Sequence, residues 1–329
     1  MTAVMEHASE QDFARLADPY RRELLAHCYR MLGSLHDAED LVQETYLRAW
    51  KGYDRFEGRS SLRTWLHRIA TTACLTALEK RGRRPLPTGL GGPTDEPESP
   101  LAHGSEVPWL EPLPTDPGTV VTERESVRLA WVAALQYLQP RQRAVLVLRD
   151  VLRFSAAEVA DTLDTTVPAV NSLLQRARAQ LARNTPDEDE LTEPLPDQRE
   201  TLARYVAAFE SYDIPALTEL FTADAVFEMP PMLTWVRGGP RIVRLIGTHC
   251  PADAPGDMLM VSTTANGCPA FGLYLRDGKG VHRPFNLHVL DLSPDGITHA
   301  VLFFDVSLFA AFGLPPTLEP QDAHGPRAQ

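Results

Sequence analysis

The side chains best suited to specific recognition lie on one face of a helix predicted near residues 166–183. Asn171, Gln175 and Arg178 recur at intervals of four and three, so they share a face opposite an apolar stripe. In a DNA major groove, Asn and Gln can make paired hydrogen bonds to adenine, and Arg can make them to guanine. The spacing therefore predicts a DNA-reading surface, with candidate residues Asn171, Ser172, Gln175, Arg176 and Arg178.

Two short helices joined by a tight turn must position this face. Ser155 and Glu158 carry the capping-box signature of a helix start. The turn at residues 164–166 precedes the second helix, which tolerates Pro168 in its first turn. This pattern predicts a helix-turn-helix, whose second helix enters the major groove. A plain helical hairpin with a polar outer face has the same pattern, so the residues alone leave both open.

The charge of the chain is unevenly distributed. The 329 residues include 32 Lys and Arg against 44 Asp and Glu, a net charge of -12. Residues 185–329 contribute -11 of this, with 9 basic and 20 acidic residues. The first 184 residues are therefore nearly neutral and can present basic faces to nucleic acid.

The cysteines and the apolar runs exclude several classes of protein. Cys28, Cys74, Cys250 and Cys268 stand far apart without a Cys-x-x-Cys pair, so neither a metal site nor a cofactor is predicted. No signal peptide or membrane-spanning run is predicted either. A soluble, cytoplasmic protein is expected.

Two breaks in composition divide the chain into parts. Residues 83–122 hold nine of the 28 prolines and five of the 20 glycines, which predicts an extended, mobile linker. Residues 185–197 form an acidic, proline-containing linker. Between them the sequence predicts domains at residues 8–82, 123–184 and 198–318, followed by a disordered tail at 319–329. The first two show helical periodicity only.

Residues 8–184 resemble bacterial sigma factors of the extracytoplasmic-function group. Residues 37–50 resemble the polymerase-docking helix, residues 55–70 the segment that melts and reads the −10 promoter element, and residues 169–178 the −35 reading helix. The resemblance implies two all-α domains, region 2 and region 4. It also implies as partners the bacterial RNA polymerase core and promoter DNA, both duplex and melted. A monomer is expected before assembly with polymerase.

The resemblance assigns residues to two surfaces of region 2. A hydrophobic strip edged by carboxylates and amides suits a basic coiled coil, and melted bases stack on aromatic residues beside basic ones. For Trp65 a core position is the alternative. The candidate polymerase contacts are Asp40, Leu41, Gln43 and Glu44, and the candidate −10 contacts are Arg55, Phe56, Arg59, Arg63, Trp65 and Arg68.

One departure from the family concerns the −10 helix. Thr72 and Thr76 occupy positions where the family usually has an Asn and an Asp. A hydroxyl cannot reproduce the charge of a carboxylate, so the contacts of those family residues are not carried over. The promoter preference of the chain is therefore left open.

Residues 198–318 predict helices followed by a curved antiparallel sheet. Strands are expected near 225–229, 258–264, 270–276, 284–291 and 297–305. This order resembles the SnoaL-like domains of the nuclear transport factor 2 superfamily, α+β cones that enclose a pocket. Trp235 and His288 are the pocket candidates, for an unidentified small ligand. The linker also contains a stretch that resembles a motif found in sigma factors with such a domain. Its residues are Trp109, Leu110, Glu111 and Pro112.

Together these features predict a sigma factor without catalytic residues, whose own C-terminal domain modulates its activity. One alternative is an enzyme of isomerase or cyclase type in the third domain, with His288 in the reaction and the helical parts used for targeting. Another is a one-component regulator that uses only the helix-turn-helix.

Overall fold

The computed structural model describes residues 10–80, 82–115, 128–183 and 196–319. The chain divides into two compact units: residues 1–84 with 129–186, and residues 85–128 with 187–329. The first unit is helical and the second combines helices with a six-stranded sheet, which confirms the predicted fold class. In the part of the chain just defined, no helix is long and apolar enough to cross a membrane.

The N-terminal part of the first unit is a helical bundle. Ser34 accepts a hydrogen bond from the Asp37 amide at 3.1 Å and begins the third helix, while Ser61 begins the fourth by accepting from the Thr64 amide at 3.0 Å. Gly33, with φ of 69°, ends the second helix in the left-handed region. The helices are α1 (Glu10–Ala17), α2 (Arg21–Leu32), α3 (Leu35–Gly52) and α4 (Leu62–Glu79).

The second helical part is the predicted helix-turn-helix. The capping box is formed in both directions: the Glu158 amide donates to Ser155 Oγ, and the Ser155 amide donates to a Glu158 carboxylate oxygen at 2.8 Å. Thr166 caps the following helix. The elements are α5 (Leu129–Leu135), α6 (Pro140–Leu146) extended by a π turn (Val147–Val151), α7 (Ala156–Thr162) and α8 (Val167–Leu181).

The sheet of the second unit differs from the sequence prediction in two respects. The strand order is β2-β1-β6-β5-β4-β3, and β1 pairs with β6 in parallel, whereas the predicted antiparallel direction holds for the other four pairs of neighbouring strands. No short turn joins these two strands, which leaves the parallel direction available. Strand β2 was not predicted. The strands are β1 (Phe221–Glu228), β2 (Trp235–Arg237), β3 (Met258–Ala265), β4 (Cys268–Arg276), β5 (His282–Ser293) and β6 (Gly296–Phe303).

The two faces of the sheet have different coverings. The inner face contributes Phe227, Phe271 and Leu290 to a hydrophobic core with Tyr205 of α9 (Pro196–Glu210) and Ile242 of α10 (Gly239–His249). On the outer face, the chain after β6 packs closely against β4, through a segment that includes α11 (Leu308–Ala311). A Cβ atom at Gly272 would lie 2.6 Å from Leu314 Cδ1 and 2.9 Å from Phe309 Cε1, so a larger residue there would displace these two side chains.

The proline-rich segment after region 2 differs from the expected mobile tether over its described residues, 83–115. From Pro85 onward it follows the surface of the sheet domain and forms isolated β-bridges at His103 and Pro114, to Met232 and Ala265. Its proline and glycine content disfavours a long helix or a central strand, and a single 3-10 turn forms at Pro87–Gly89. Single main-chain hydrogen bonds to a neighbouring domain remain available to such a chain, and several of them help to hold it here.

Candidate nucleic-acid interface

Helix α8 separates its side chains into a buried and an exposed face. Val170, Leu174 and Ala177 are buried in the helical core. Pro168 lies in the first turn, where its missing amide costs no hydrogen bond. The exposed face contains all five predicted DNA-reading residues, Asn171, Ser172, Gln175, Arg176 and Arg178. The arrangement can therefore present amide and guanidinium groups to base edges.

The guanidinium of Arg178 is held in place by a carboxylate that the sequence analysis missed. Arg178 Nε donates to Asp150 Oδ2 at 2.8 Å, and its Nη2 donates to Asp150 Oδ1 at 2.6 Å. This paired contact raises the pKa of Arg178. Two residues before it, Arg176 Nη2 donates to Ser172 Oγ, one turn earlier in the helix, at 3.2 Å. Both arginines thus have defined orientations, although their side chains are exposed.

Helix α4 contributes to an open groove of about 290 Å³ in region 2, hereafter the α4 groove. Trp65 lies at its wall and packs against Phe56, with ring centroids 4.8 Å apart and an interplanar angle of 31°. Trp65 is only partly buried, so its ring also faces the groove. Arg48 is a wall residue that the sequence analysis did not single out. The lining residues are Arg48, Trp65, Arg68, Ile69 and Thr72.

The four candidate arginines of the −10 surface have different surroundings. Arg55, Arg59 and Arg68 are exposed, and Arg59 pairs with Glu57 at 2.5 Å. Arg63 instead joins the two helical parts of the first unit. Its Nε donates to Glu23 at 2.8 Å and its Nη2 donates to the Leu152 carbonyl at 3.0 Å. In this conformation Arg63 is engaged within the unit.

The hydroxyls that replace the family's Asn and Asp bond to their own helix. Thr72 Oγ1 donates to the Arg68 carbonyl at 2.8 Å, and Thr76 Oγ1 donates to the Thr72 carbonyl at 3.0 Å. Because each proton is used in this way, the hydroxyls face outward as acceptors only. These positions therefore offer a different contact from a carboxylate or an amide.

The outward face of α3 combines polar residues with two exposed apolar ones. Asp40 and Gln43 are exposed, and Leu41 and Glu44 are partly exposed. Glu44 pairs with Arg48 one turn later, at 2.6 Å. Beyond the predicted candidates, Leu47 is 58% exposed and Trp50 is 42% exposed. Their spacing from residues 40 and 43 is helical, and this signal could have identified them.

The predicted linker motif is ordered on the second unit. Trp109 Nε1 donates to the Gly104 carbonyl at 3.0 Å, and the Leu110 side chain is fully buried. Pro112 is buried and Glu111 is partly buried. Immediately after the motif, the Leu113 amide donates to Asn266 Oδ1 at 2.8 Å. The motif thus belongs to the segment that packs on the sheet domain.

The two predicted pocket residues lie on opposite faces of the sheet. His288 lies on the inner face, where its Nδ1 accepts from Tyr205 at 2.8 Å and its Nε2 donates to Asn286 at 2.7 Å. Burial lowers the pKa of His288 to about 3, so the ring is neutral. Trp235 pairs with Glu228 on the outer face and donates from Nε1 to the Gly91 carbonyl of the linker at 2.9 Å. They therefore line no common pocket.

An acid–histidine cluster that the sequence spacing did not reveal lies on the outer face. His299 Nε2 donates to Glu228 Oε1 at 2.7 Å, and its Nδ1 lies 3.8 Å from Asp291 Oδ2. The thiol of Cys268 donates to Asp291 at 3.1 Å. Glu228 is fully buried, and its second oxygen accepts the Thr88 amide at 2.7 Å. Among the described residues, no such cluster is arranged to hold a metal ion.

We expect the His299–Glu228 pair to stabilise the second unit most at low pH. Burial disfavours the imidazolium, but the hydrogen bond and charge of Glu228, with Asp291, outweigh it and raise the pKa of His299 above 6.5. The stabilisation is therefore complete below pH about 6.5 and is lost as the pH rises through the raised pKa. In thermal unfolding, the destabilisation by His299→Gln should shrink from pH 6 to pH 9.

The matched control is His288→Gln. The native His288 ring stays neutral over this range, so the cost of its replacement should not change with pH. A pH-independent cost of His299→Gln would show that His299 does not carry the charge in the folded protein.

Comparisons with known proteins cover nearly the whole chain. The family model Sigma-70 region 2 matches residues 16–84, and the model Sigma-70, region 4 matches residues 128–181. The ECF RNA polymerase sigma factor SigG of Mycobacterium tuberculosis is 61% identical over 315 residues, which cover 93% of this chain and 85% of SigG. SigJ of the same organism is 32% identical over 237 residues, 69% of each chain.

Among solved structures, the crystal structure of the M. tuberculosis extracytoplasmic function sigma factor SigJ covers 92% of this chain and 99% of its own. The TM-score is 0.61 at 23% sequence identity. This likeness extends across both units and concerns the fold alone.

Proposed function

Because the chain belongs to the extracytoplasmic-function (ECF) family of RNA polymerase sigma factors, we propose that three of its surfaces divide the work of promoter recognition. The protein is a transcription factor that directs initiation by polymerase. The outward face of α3 docks on the polymerase core, the α4 groove binds the melted −10 element, and α8 reads the −35 element. These steps place its work in the cytoplasm, with the polymerase.

The observation that best supports this assignment is the two-sided character of α8. Its apolar side is buried, while Asn171, Gln175 and Arg178 share the exposed side. A helix that needed only solubility would not require groups that pair with adenine and guanine at this spacing. Asp150 orients Arg178 before DNA arrives, which lowers the entropy lost when a base is bound.

The α4 groove fits a base from an opened duplex. The partly exposed Trp65 ring supplies a stacking surface, and Arg48 and Arg68 supply positive charge for the adjoining phosphates. Arg55 and Arg59 extend this charge along the exposed segment before α4. Arg63 joins this surface only if its contacts with Glu23 and Leu152 break. Separation of region 2 and region 4 on the promoter would break the Leu152 contact, whereas Glu23 belongs to region 2 and would have to be displaced by the DNA.

Arg178→Ala tests the reading of the −35 element. We expect a loss of about 1–3 kcal/mol in binding, confined to one base position, because the guanidinium contacts a base edge. The measurement is run-off transcription with purified core polymerase on a library of −35 variants. Arg204→Ala is the matched control, since Arg204 is also exposed and paired with a carboxylate, that of Glu219. An equal loss on every sequence would show that Arg178 binds phosphate instead.

The C-terminal domain is the part we propose to modulate this activity. It holds the linker that joins region 2 to region 4, and its acidic charge disfavours DNA. A small ligand and a catalytic role for His288 stay predictions of the sequence. The His288 ring is neutral, buried and bonded to Tyr205 and Asn286, an arrangement that supports a structural role.

A further inference from the structure

The linker between region 2 and region 4 folds into a loop whose two ends meet. The Leu110 amide donates to the Pro85 carbonyl at 3.1 Å, so residues 85–110 return to their starting point. We call these residues the linker loop. It takes up 26 of the 44 residues between Arg84 and Leu129 without adding to the distance that the linker spans.

Hydrogen bonds to the sheet domain hold the linker loop along its length. The Thr88 amide binds Glu228, the Thr94 amide binds the Trp235 carbonyl at 2.9 Å, and the Gly104 amide binds the Pro231 carbonyl at 2.8 Å. In the opposite direction, the Leu233 amide donates to the Ala102 carbonyl at 2.7 Å. The domain therefore both donates to and accepts from the linker loop.

Ion pairs and a second anchor add to these bonds. Asp95 and Glu98 pair with Arg241 and Arg244 of α10, at 3.0 and 3.4 Å. Just beyond the linker loop, the Leu113 amide and carbonyl pair with Asn266, which is fully buried. Glu228 and Asn266 would each lose a partner if the linker left, so undocking has a definite cost.

The docked linker and the released linker can span very different maximum distances. With the linker loop closed, the 18 residues from 111 to 128 span at most about 65 Å even when fully extended. All 44 residues, once released, span about 150 Å. Promoter elements centred 25 base pairs apart are about 85 Å apart along B-form DNA. The first length is about 20 Å shorter than this separation, a difference that the widths of region 2 and region 4 would have to supply, and the second exceeds the separation by about 65 Å.

We propose that the C-terminal domain holds part of the linker in a closed loop, and that it must release this linker loop before region 2 and region 4 can occupy both promoter elements. This inference rests on the proposed function. The domain then controls initiation by setting the length of linker that is free to separate region 2 from region 4. An extended chain whose amide groups donate to Glu228 and Asn266 would compete with the linker for these residues. Such a chain would favour the released form of the linker.

Hydrogen exchange of the full chain tests the release directly. The amides of Leu233 and Asn266 donate to linker carbonyls, so their exchange reports on docking from the side of the domain. We expect exchange in peptides containing these amides to be about tenfold faster in the polymerase–promoter complex than in the free protein, the equivalent of one net hydrogen bond. Unchanged protection in a complex that yields run-off product would overturn the proposal. If no run-off product forms, the proposed function fails instead.

Substitutions in the linker test the proposal in a second way and leave the residues of the sheet domain unchanged. Thr88→Pro with Leu113→Pro removes two linker amides that bind Glu228 and Asn266. We expect faster exchange at Leu233 and Asn266 in the free protein and a higher yield of run-off product. The control is Ser105→Pro, because residue 105 is the second residue of the Gly104–Val107 turn, where proline is favoured. It should behave like the unmodified chain. Equal behaviour of the double variant and the control would contradict the proposal.

Discussion

Replacement of Arg143 by methionine is expected to reduce the stability of the first unit by about 3 kcal/mol, because it leaves several buried carbonyl oxygens without donors. The side chain is 3% exposed. Its Nη1 donates to Gln136 Oε1 at 2.7 Å and to the Met31 carbonyl, and its Nη2 donates to the carbonyls of Gln136 and Leu138. Methionine has similar bulk but no donor.

The contact with the Met31 carbonyl also links region 4, which contains Arg143, to region 2. This carbonyl belongs to the last turn of α2, where backbone carbonyls have no partner within the helix. The guanidinium of region 4 satisfies this carbonyl and places positive charge at the negative end of the helix. Burial lowers the pKa of Arg143 to about 10, which still leaves the side chain charged at neutral pH.

Urea denaturation followed by circular dichroism measures the effect as a lower midpoint of the helical transition. The control is Arg141→Met, since Arg141 is exposed and makes one long hydrogen bond, to the Leu163 carbonyl at 3.4 Å. We expect that change to stay within about 0.5 kcal/mol. Equal effects of the two replacements would mean that the buried network contributes nothing specific.

Trp50→Ala is expected to weaken binding of the polymerase core by about 2–4 kcal/mol, or 30-fold or more, because tryptophans at the centre of an interface carry a large share of the binding energy. Trp50 is 42% exposed although it is one of the largest apolar side chains, and it lies near Leu47, which is 58% exposed. Asp40 and Gln43 supply the polar rim of this surface.

Fluorescence anisotropy of labelled protein with purified core polymerase measures the loss. Val306→Ala is a suitable control, since Val306 is 53% exposed and belongs to the second unit. The melting temperature of Trp50→Ala should stay close to that of the unmodified protein, because the side chain faces outward. Full affinity in this variant would remove the α3 face from the proposed docking surface.

Local signals determined most of the helical part. Ser155 with Glu158, and Thr166 before α8, are helix starts that involve residues only three apart, so sequence inspection finds them. The exposed row on α8 follows from helical spacing in the same way. The positions of five of the six strands in the sheet domain were also predictable from local patterns, whereas the three-residue strand β2 was not.

Tertiary structure decided the features in which distant residues meet. Arg63 contacts a carbonyl 89 residues away, Thr88 binds Glu228 across 140 residues, and Leu113 binds Asn266 across 153. The division of Trp235 and His288 between opposite faces depends on strand register, and the parallel β1–β6 pair depends on strand order. Composition predicts that a proline-rich segment cannot support a helix interior or a central strand. Whether its amides bond to water or to a neighbouring domain is decided by the surface that the rest of the chain presents.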